Sequence, residues 1–287
     1  MNLNCCRYIN ICRWLWRHRP TSELNLNCCR YINIQAGTQF EIKKKVIQGN
    51  EIINFITVPT STTTKKAEWI TSRFILALLL FLAILCVFVA ITQEIVLEHE
   101  NGFDESITKK LSLIVSPSVT RLMEVITFFG SSNFLFPAYL VLILYYFFRK
   151  NMKLGLDIAM IGLSSTGILY LFKEIFQRQR PLDPLIRNVT GFSFPSGHSF
   201  SSFTFFGLLI YILWNTGIKK VLKIIITIIL FLFAATIAFT RVYLRVHYPS
   251  DVIAGFCLSV IWLMLSLWIL HKADRAIAFK KNGIKNL

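Results

Sequence analysis

Six long runs of apolar residues, almost free of internal charge, constrain this chain more than any other feature. A run of about 18 or more such residues is the length that carries a helix across a bilayer. At 1.5 Å per residue, about 20 residues cross a hydrocarbon layer of ~30 Å. The runs lie at about Phe74–Ile91, Phe134–Phe148, Leu154–Phe172, His198–Trp214, Val221–Phe239 and Val252–Leu270. The expected fold is therefore all-α, a polytopic bundle of six transmembrane helices. Only 16% of the 287 residues are charged, against about 25% in a soluble domain, which excludes an ordinary cytosolic globule.

The formal charge of +16 does not indicate a nucleic-acid partner, because the basic residues gather in short clusters at span ends. Lys65, Lys66 and Arg73 precede the first span; Arg149, Lys150 and Lys153 separate the second from the third. Lys219, Lys220 and Lys223 separate the fourth from the fifth, and Lys272, Arg275, Lys280 and Lys281 follow the sixth. With six spans all of these share one face, which the positive-inside rule assigns to the cytoplasm. The loop after the first span is acidic instead, with Glu94, Glu98, Glu100, Asp104 and Glu105. Two loops break the pattern on the opposite face: one holds Lys173, Arg178, Arg180 and Arg187, the other Arg241 and Arg245. Cations on the disfavoured face need another reason to be there.

Between the first two spans, Ile107, Leu111 and Ile114 recur at helical spacing, as do Leu122, Val125, Ile126 and Phe129. This spacing predicts amphipathic helices at the membrane interface, broken by Pro117 and by Gly130-Ser-Ser. Trp69, Tyr145, Tyr146 and Trp214 fit interfacial belts, and Asp157 a solvated position on the cytoplasmic side.

The N-terminal region, residues 1–66, reads as a poorly structured tail, with residues 67–287 forming the six-span domain. Asn-Leu-Asn-Cys-Cys-Arg-Tyr-Ile-Asn-Ile occurs at 2–11 and again, unchanged, at 25–34. Two copies are too few for a solenoid. The vicinal pairs Cys5–Cys6 and Cys28–Cys29 lack the C-x2-C spacing of strong zinc sites. Seven cysteines, two of them (Cys86 and Cys257) within spans, do not make a disulfide framework. No cleavable secretory signal is expected, since too few apolar residues follow the Arg-rich start.

Lys173, Arg180 and Arg241 belong to two of three sequence pieces at the outer ends of spans three to six: Lys173-x6-Arg180-Pro181, Pro195-Ser196-Gly197-His198, and Arg241-x5-His247-x3-Asp251. Each suits a phosphate ester. Lys173 and Arg180 lie two turns apart if their helix continues, leaving one face about 10 Å apart. Guanidinium groups bind phosphate oxygens bidentately, and lysine adds a point charge. Pro195 suits the first turn of a helix, whose opening amides at Ser196, Gly197 and His198 attract an anion. Gly197 lets the backbone come close. His247 precedes Asp251 by four residues, so the carboxylate can accept Nδ1–H and hold Nε2 unprotonated for attack. Pro249 marks the expected start of the sixth span, with Asp251 in its first turn. Arg178, Arg187 and Arg245 are left to lipid or general electrostatic contacts, and Asn188-Val-Thr is a glycosylation sequon.

These three pieces resemble the signature of the type-2 phosphatidic acid phosphatase superfamily of membrane lipid phosphatases, over roughly Trp69 to Leu270. Thr240 stands where that pattern commonly has Ser, retaining a hydroxyl. The resemblance implies that His247 attacks phosphorus and becomes phosphohistidine, that Asp251 orients it, and that His198 protonates the leaving oxygen. It implies that Lys173, Arg180, Ser196, Gly197 and Arg241 hold the phosphoryl oxygens, with no metal and no cofactor required.

The expected activity is hydrolysis of a lipid phosphate or pyrophosphate on the non-cytoplasmic face of a bacterial inner membrane. Undecaprenyl pyrophosphate is the favoured substrate, and phosphatidic acid and phosphatidylglycerol phosphate are its rivals. The expected partners are the lipid substrate and membrane lipids. A phosphotransferase using the same intermediate, and a non-enzymatic transporter or anion-binding protein, stay open as alternatives. Soluble vanadate-dependent haloperoxidases share the signature but not the six spans.

Overall fold

The computed structural model describes residues 40–42, 57–59, 61–97, 102–187 and 189–284. The duplicated segment, its vicinal cysteines and Asn188 of the sequon lie outside the described residues. The chain divides into two units, Met1–Leu76 and Ala77–Leu287. In the first, strands β1 (Phe40–Ile42) and β2 (Thr57–Pro59) pair antiparallel, with Phe40 opposite Pro59.

Among the described residues eight α-helices follow. They are α1 (Ser61–Ile91), extended by a π-helical turn at Thr92–Leu97, α2 (Gly102–Ser112), α3 (Pro117–Phe128), α4 (Ser132–Phe148), α5 (Met152–Phe176), α6 (Gly197–Trp214), α7 (Lys220–Tyr243) and α8 (Pro249–Ile284). Six stretches of the described residues are long and apolar enough to cross a membrane, and they follow the expected order. Most bounds move by a few residues. Within the second stretch, Pro117–Phe148, the expected separate helix is α3, divided from α4 by the break at Gly130. Across that break Ile126 and Phe129 join Phe134, Leu135, Phe205 and Ile237 in one apolar cluster. Pro117 opens α3 behind Ser116, whose hydroxyl caps the Val119 amide at 3.4 Å.

α6 is the centre of the second unit. Its apolar window is 39% buried, the largest share among the six stretches. Around α6 stand α5, α7 and α8. Large side chains such as Leu79, Leu82, Ile225, Ile228 and Leu232 remain exposed, as expected of surfaces that face hydrocarbon rather than water. Packing between α6 and α8 is set by Gly255. A Cβ there would lie 2.8 Å from the Ser196 carbonyl oxygen and 3.2 Å from the Phe200 amide nitrogen, so only glycine lets α8 meet the start of α6. Beneath that junction, Phe88 of α1 packs with Phe194, Phe200, Ala254 and Leu258.

At the same end of the bundle, the segment between α5 and α6 folds over the short link between α7 and α8. Tyr243, Leu244 and Val246 are buried against Val115, Val119, Met123, Leu185 and Ile186, and the Leu185 amide donates to the Leu244 carbonyl at 3.0 Å. This layer shields the polar groups gathered at the helix ends.

Candidate active site

Lys173 sits in the last turn of α5 and donates from Nζ to the Phe192 carbonyl. The helix does not continue to Arg180 as the sequence spacing suggested. Gln177 takes a left-handed conformation (φ 44°, ψ 31°), and its amide closes on the Lys173 carbonyl at 3.0 Å, which ends the helix at Phe176. Arg180 therefore reaches the site from a loop. Its Nε donates to Gly191 O (2.8 Å), Nη2 to Thr190 O (3.1 Å) and Nη1 to Val246 O (2.8 Å). Three carbonyls hold the guanidinium in place without neutralising it.

Arg180 Nη1 also lies 3.2 Å from His247 Nε2. A guanidinium only donates, so this contact requires a bare Nε2 and a proton on Nδ1. Nδ1 faces Ser193 Oγ at 3.3 Å and Asp251 Oδ2 at 3.4 Å. The second distance is long for a hydrogen bond, and Ser193 fills the gap by donating to Oδ2 at 2.5 Å. Imidazole, hydroxyl and carboxylate thus form a chain that fixes the ring. His247 is fully enclosed, and burial, opposed by the Asp251 carboxylate, pushes its pKa down to about 4. It is neutral at physiological pH.

Asp251 stands in the first turn of α8, which Pro249 opens as expected. Its Oδ2 accepts the Tyr248 amide (2.9 Å), and Oδ1 accepts Arg178 Nη1 (2.7 Å). Arg178, expected only among general contacts, has just 9% of its side chain accessible here. Its Nη2 pairs with Asp104 at 2.8 Å, Nη1 reaches Ser250 Oγ at 2.8 Å, and its plane lies 4.1 Å over the Tyr248 ring.

α6 begins at Gly197 with Ser196 as its cap, so Pro195 precedes the helix instead of occupying its first turn. The cause is local: Ser196 has the extended backbone of a cap, and its hydroxyl accepts from Ser199 Oγ at 3.1 Å and from the Ser199 amide at 3.5 Å. The Ser196 amide donates to the Asp251 carbonyl at 3.0 Å, tying the two motifs together by backbone. That leaves the Gly197 and His198 amides to open the helix, where intrahelical partners are lacking. A Cβ on Gly197 would sit 3.3 Å from Leu169 and 4.0 Å from Lys173 Cε, so this amide lies close to the lysine.

His198 lies within electrostatic range of Arg241, His247, Arg180 and Lys173. Its ring packs on Gly130, where a Cβ would come within 3.1 Å of Cδ2. Arg241, in the last turn of α7, donates from Nη1 to Thr127 Oγ1 at 2.8 Å. Its Nε is buried with no hydrogen-bond partner among the described residues. A buried unpaired donor is costly, and an anion held between Arg241 and Arg180 would satisfy it.

All eight residues singled out from the sequence, Lys173, Arg180, Ser196, Gly197, His198, Arg241, His247 and Asp251, thus gather at one end of the bundle. Sequence reasoning missed Asp104, Thr127, Arg178 and Ser193. Among the described residues no three His, Cys, Asp or Glu side chains converge as metal ligands would. The site is cationic, with Lys173, Arg180 and Arg241 near an unprotonated imidazole nitrogen, which suits a phosphoryl group.

Residues 153–275 match the PAP2 superfamily. The chain is 32% identical over 176 residues to phosphatidylglycerophosphatase B of Bacillus subtilis, covering 58% of this chain and 84% of that one. It is 26% identical over 168 residues to undecaprenyl-diphosphatase of Sulfolobus acidocaldarius, covering 56% and 76% respectively. The crystal structure of a transmembrane PAP2-type phosphatidylglycerolphosphate phosphatase from Bacillus subtilis superposes with a TM-score of 0.58 at 31% identity, over 68% of this chain and 96% of that one. With that coverage the expected resemblance becomes an assignment: the chain belongs to the PAP2 superfamily and is a membrane lipid phosphatase of that type.

Proposed function

We propose that the protein hydrolyses a lipid phosphate on the non-cytoplasmic face of a bacterial inner membrane, through a phosphohistidine at His247. The observation that carries this reading is the bare His247 Nε2, 3.2 Å from Arg180, with its other nitrogen backed by Ser193 and Asp251. Nε2 attacks phosphorus as the phosphate–lipid oxygen bond breaks, and His198 gives a proton to the departing lipid oxygen. His198, now neutral, takes a proton from water as that water attacks the phosphohistidine, and inorganic phosphate leaves with His247 restored. Arg180 exchanges its contact with Nε2 for a phosphoryl oxygen. Together with Lys173, Arg241, the Ser196 cap and the Gly197 amide, it stabilises the charge of the transition state. No step calls for a metal ion, so a chelator is expected to leave turnover unchanged.

Phosphatidylglycerol phosphate becomes the favoured substrate, because the relative named for it aligns over most of its own length. Undecaprenyl pyrophosphate, first choice on sequence alone, remains the second reading, supported by the Sulfolobus relative. The test is phosphate release by purified protein from these two lipids and phosphatidic acid, with His247→Ala as control. Release from none of them would overturn the phosphatase reading. The face of the membrane is tested by single cysteines placed near Leu185 and Leu244 in a background without native cysteine. These should react with an impermeant thiol reagent outside intact cells, whereas cysteines at Lys150 and Lys220 should react only after permeabilisation; reversed labelling would put the site in the cytoplasm.

A further inference from the structure

Asp104 is fully buried although it stands in the first turn of α2, outside all three motifs. A buried carboxylate is retained only where hydrogen bonds and opposite charge compensate its lost hydration. Here every partner leads to the same place. Oδ1 accepts the Ser250 amide at 2.9 Å; Oδ2 accepts Ser250 Oγ at 2.6 Å and Arg178 Nη2 at 2.8 Å. Ser250 immediately precedes Asp251, and the other arm of Arg178 holds Asp251 Oδ1 at 2.7 Å.

From this geometry we propose that Asp104 is a positioning residue for the phosphoryl-transfer reaction, holding Asp251 in place and in charge through Arg178 and Ser250. The proposal rests on the reading of His247 as nucleophile. Its physical content has two parts. First, α2 packs on α7 and α8, so the Asp104 bonds clamp the opening turn of α8 at the residue before Asp251. Second, among the described residues Arg178 is shared between two carboxylates. Paired with Asp251 alone, it would draw that carboxylate's charge away from the His247 Nδ1 proton; paired also with Asp104, it leaves Asp251 anionic toward the imidazole. Loss of the Asp104 charge therefore weakens the polarisation of His247 and slows chemistry, while Lys173, Arg180 and Arg241 go on binding the phosphate.

The experiment uses full-length protein in detergent, with a short-chain phosphatidic acid as substrate. Asp104→Asn keeps the size of the side chain and removes its charge. It should lower kcat about 10- to 100-fold, the scale of a lost orienting partner, and leave KM within about threefold. In an Asp251→Asn background, the same substitution should cost less than about twofold in the rate of phosphoenzyme formation, because coupled residues are not additive. A residue that merely braces α2 would cost the same factor in both backgrounds, and that result overturns the proposal, as would unchanged kcat in the single variant. Should Asp104→Asn fail to fold, Ser250→Ala serves: it removes one of Asp104's links to Asp251, with a smaller loss of kcat expected and again none in the Asp251→Asn background. Turnover surviving in His247→Ala would strike the nucleophile reading and this proposal with it. A dead His247→Ala beside an unaltered Asp104→Asn strikes this proposal alone.

Discussion

The two ends of the bundle carry the same kinds of charged residue and treat them in opposite ways. Where α4 turns into α5 and α6 into α7, the charges are exposed: Lys153 contacts Asp157 at 3.4 Å and Asp274 at 2.5 Å with 60% of its side chain accessible. Nearby, Lys223 donates to the Trp214 and Thr216 carbonyls at 2.9 and 2.7 Å, and Lys272 lies 4.2 Å from the Trp268 ring. At the other end Arg241, His247, Asp104 and Asp251 are buried, Arg178 has only 9% of its side chain accessible, and neighbouring hydroxyls such as those of Ser193 and Thr127 hold them. Exposed ion pairs are worth little because water and salt screen them. Buried ones act at low dielectric and are fixed in direction. Chemistry belongs at the end where charge is expensive and ordered.

The sharpest way to break this contrast is to remove the proposed nucleophile. His247→Ala should abolish turnover and the acid-labile phosphoenzyme, measured by trapping labelled phosphate on the protein. His198→Ala should slow the step instead of abolishing phosphate binding, with vanadate still competing for the pocket. Residual turnover in His247→Ala comparable to wild type would remove the reason for calling this end the active one.

Next in size comes the joint between the motifs. Gly255→Ala puts a methyl group 2.8 Å from the Ser196 carbonyl oxygen and 2.9 Å from Ser199 Cβ. Backbone cannot move aside as a flexible side chain can, so α8 and α6 must separate where the Ser196 amide meets the Asp251 carbonyl. We expect a loss of about 1–3 kcal/mol, typical of overpacking, and a fall in kcat of more than about tenfold on the same principle of lost alignment. Thermal unfolding in detergent and steady-state kinetics measure the two. A stable variant with wild-type kcat would show that the glycine merely tolerates the contact.

These two experiments also mark what the sequence made legible. His247, Asp251, Ser196, Gly197 and His198 lie in motifs whose spacing is short, and short spacing on a helix or at its cap determines geometry almost by itself. The six spans were legible for a similar reason, since apolar length is a local property. Lys173 and Arg180 would lie two turns apart only if their helix continued; it stops at Phe176, because Gln177 turns left-handed, and nothing in that residue announces the turn. Asp104 and Thr127 were not legible at all. Their partners stand 146 and 114 residues away, and such pairings depend on how α2 and α3 pack, which a single sequence does not encode as a pattern. Arg178 offered one clue, a cation on the disfavoured face beside two others, yet its pairing with two carboxylates required the fold.

A smaller effect follows from the burial of His247. Its folded pKa is pushed down to about 4, with burial as the leading cause, below the ordinary 6.5. For the free enzyme, the neutral imidazole persists as pH falls through 6.5, so the acid limb of kcat/KM due to this group should lie below about pH 5. The sign for stability follows from the same shift. Between pH 6.5 and about 4 the unfolded chain binds a proton that the folded chain refuses, so this contribution is complete above 6.5 and is lost as pH falls through the window. A pH profile with its His247 limb near 6.5 would mean that water reaches the ring and that the site is less closed than the bundle's other groups imply.

The smallest expected effect tests the opposite end. Lys153→Ala removes both the Asp157 and the Asp274 contacts, the second being the shorter. On distance alone this pair resembles the Arg178–Asp251 pair at 2.7 Å. Its accessibility decides otherwise: with most of the lysine in contact with solvent, the pair contributes at most about 1 kcal/mol, and less at high salt. The variant should therefore unfold within a few degrees of wild type and retain its kcat and KM, since Lys153 stands at the end of α5 opposite Lys173 and the proposed site. The comparison is sharpened by running Arg178→Ala in parallel, which leaves Asp104 and Asp251 buried without their shared cation and should cost several kcal/mol, on the scale of about 3–5 for a broken buried pair. Equal losses from the two variants would mean that burial, not chemistry, had been overvalued as the difference between the ends.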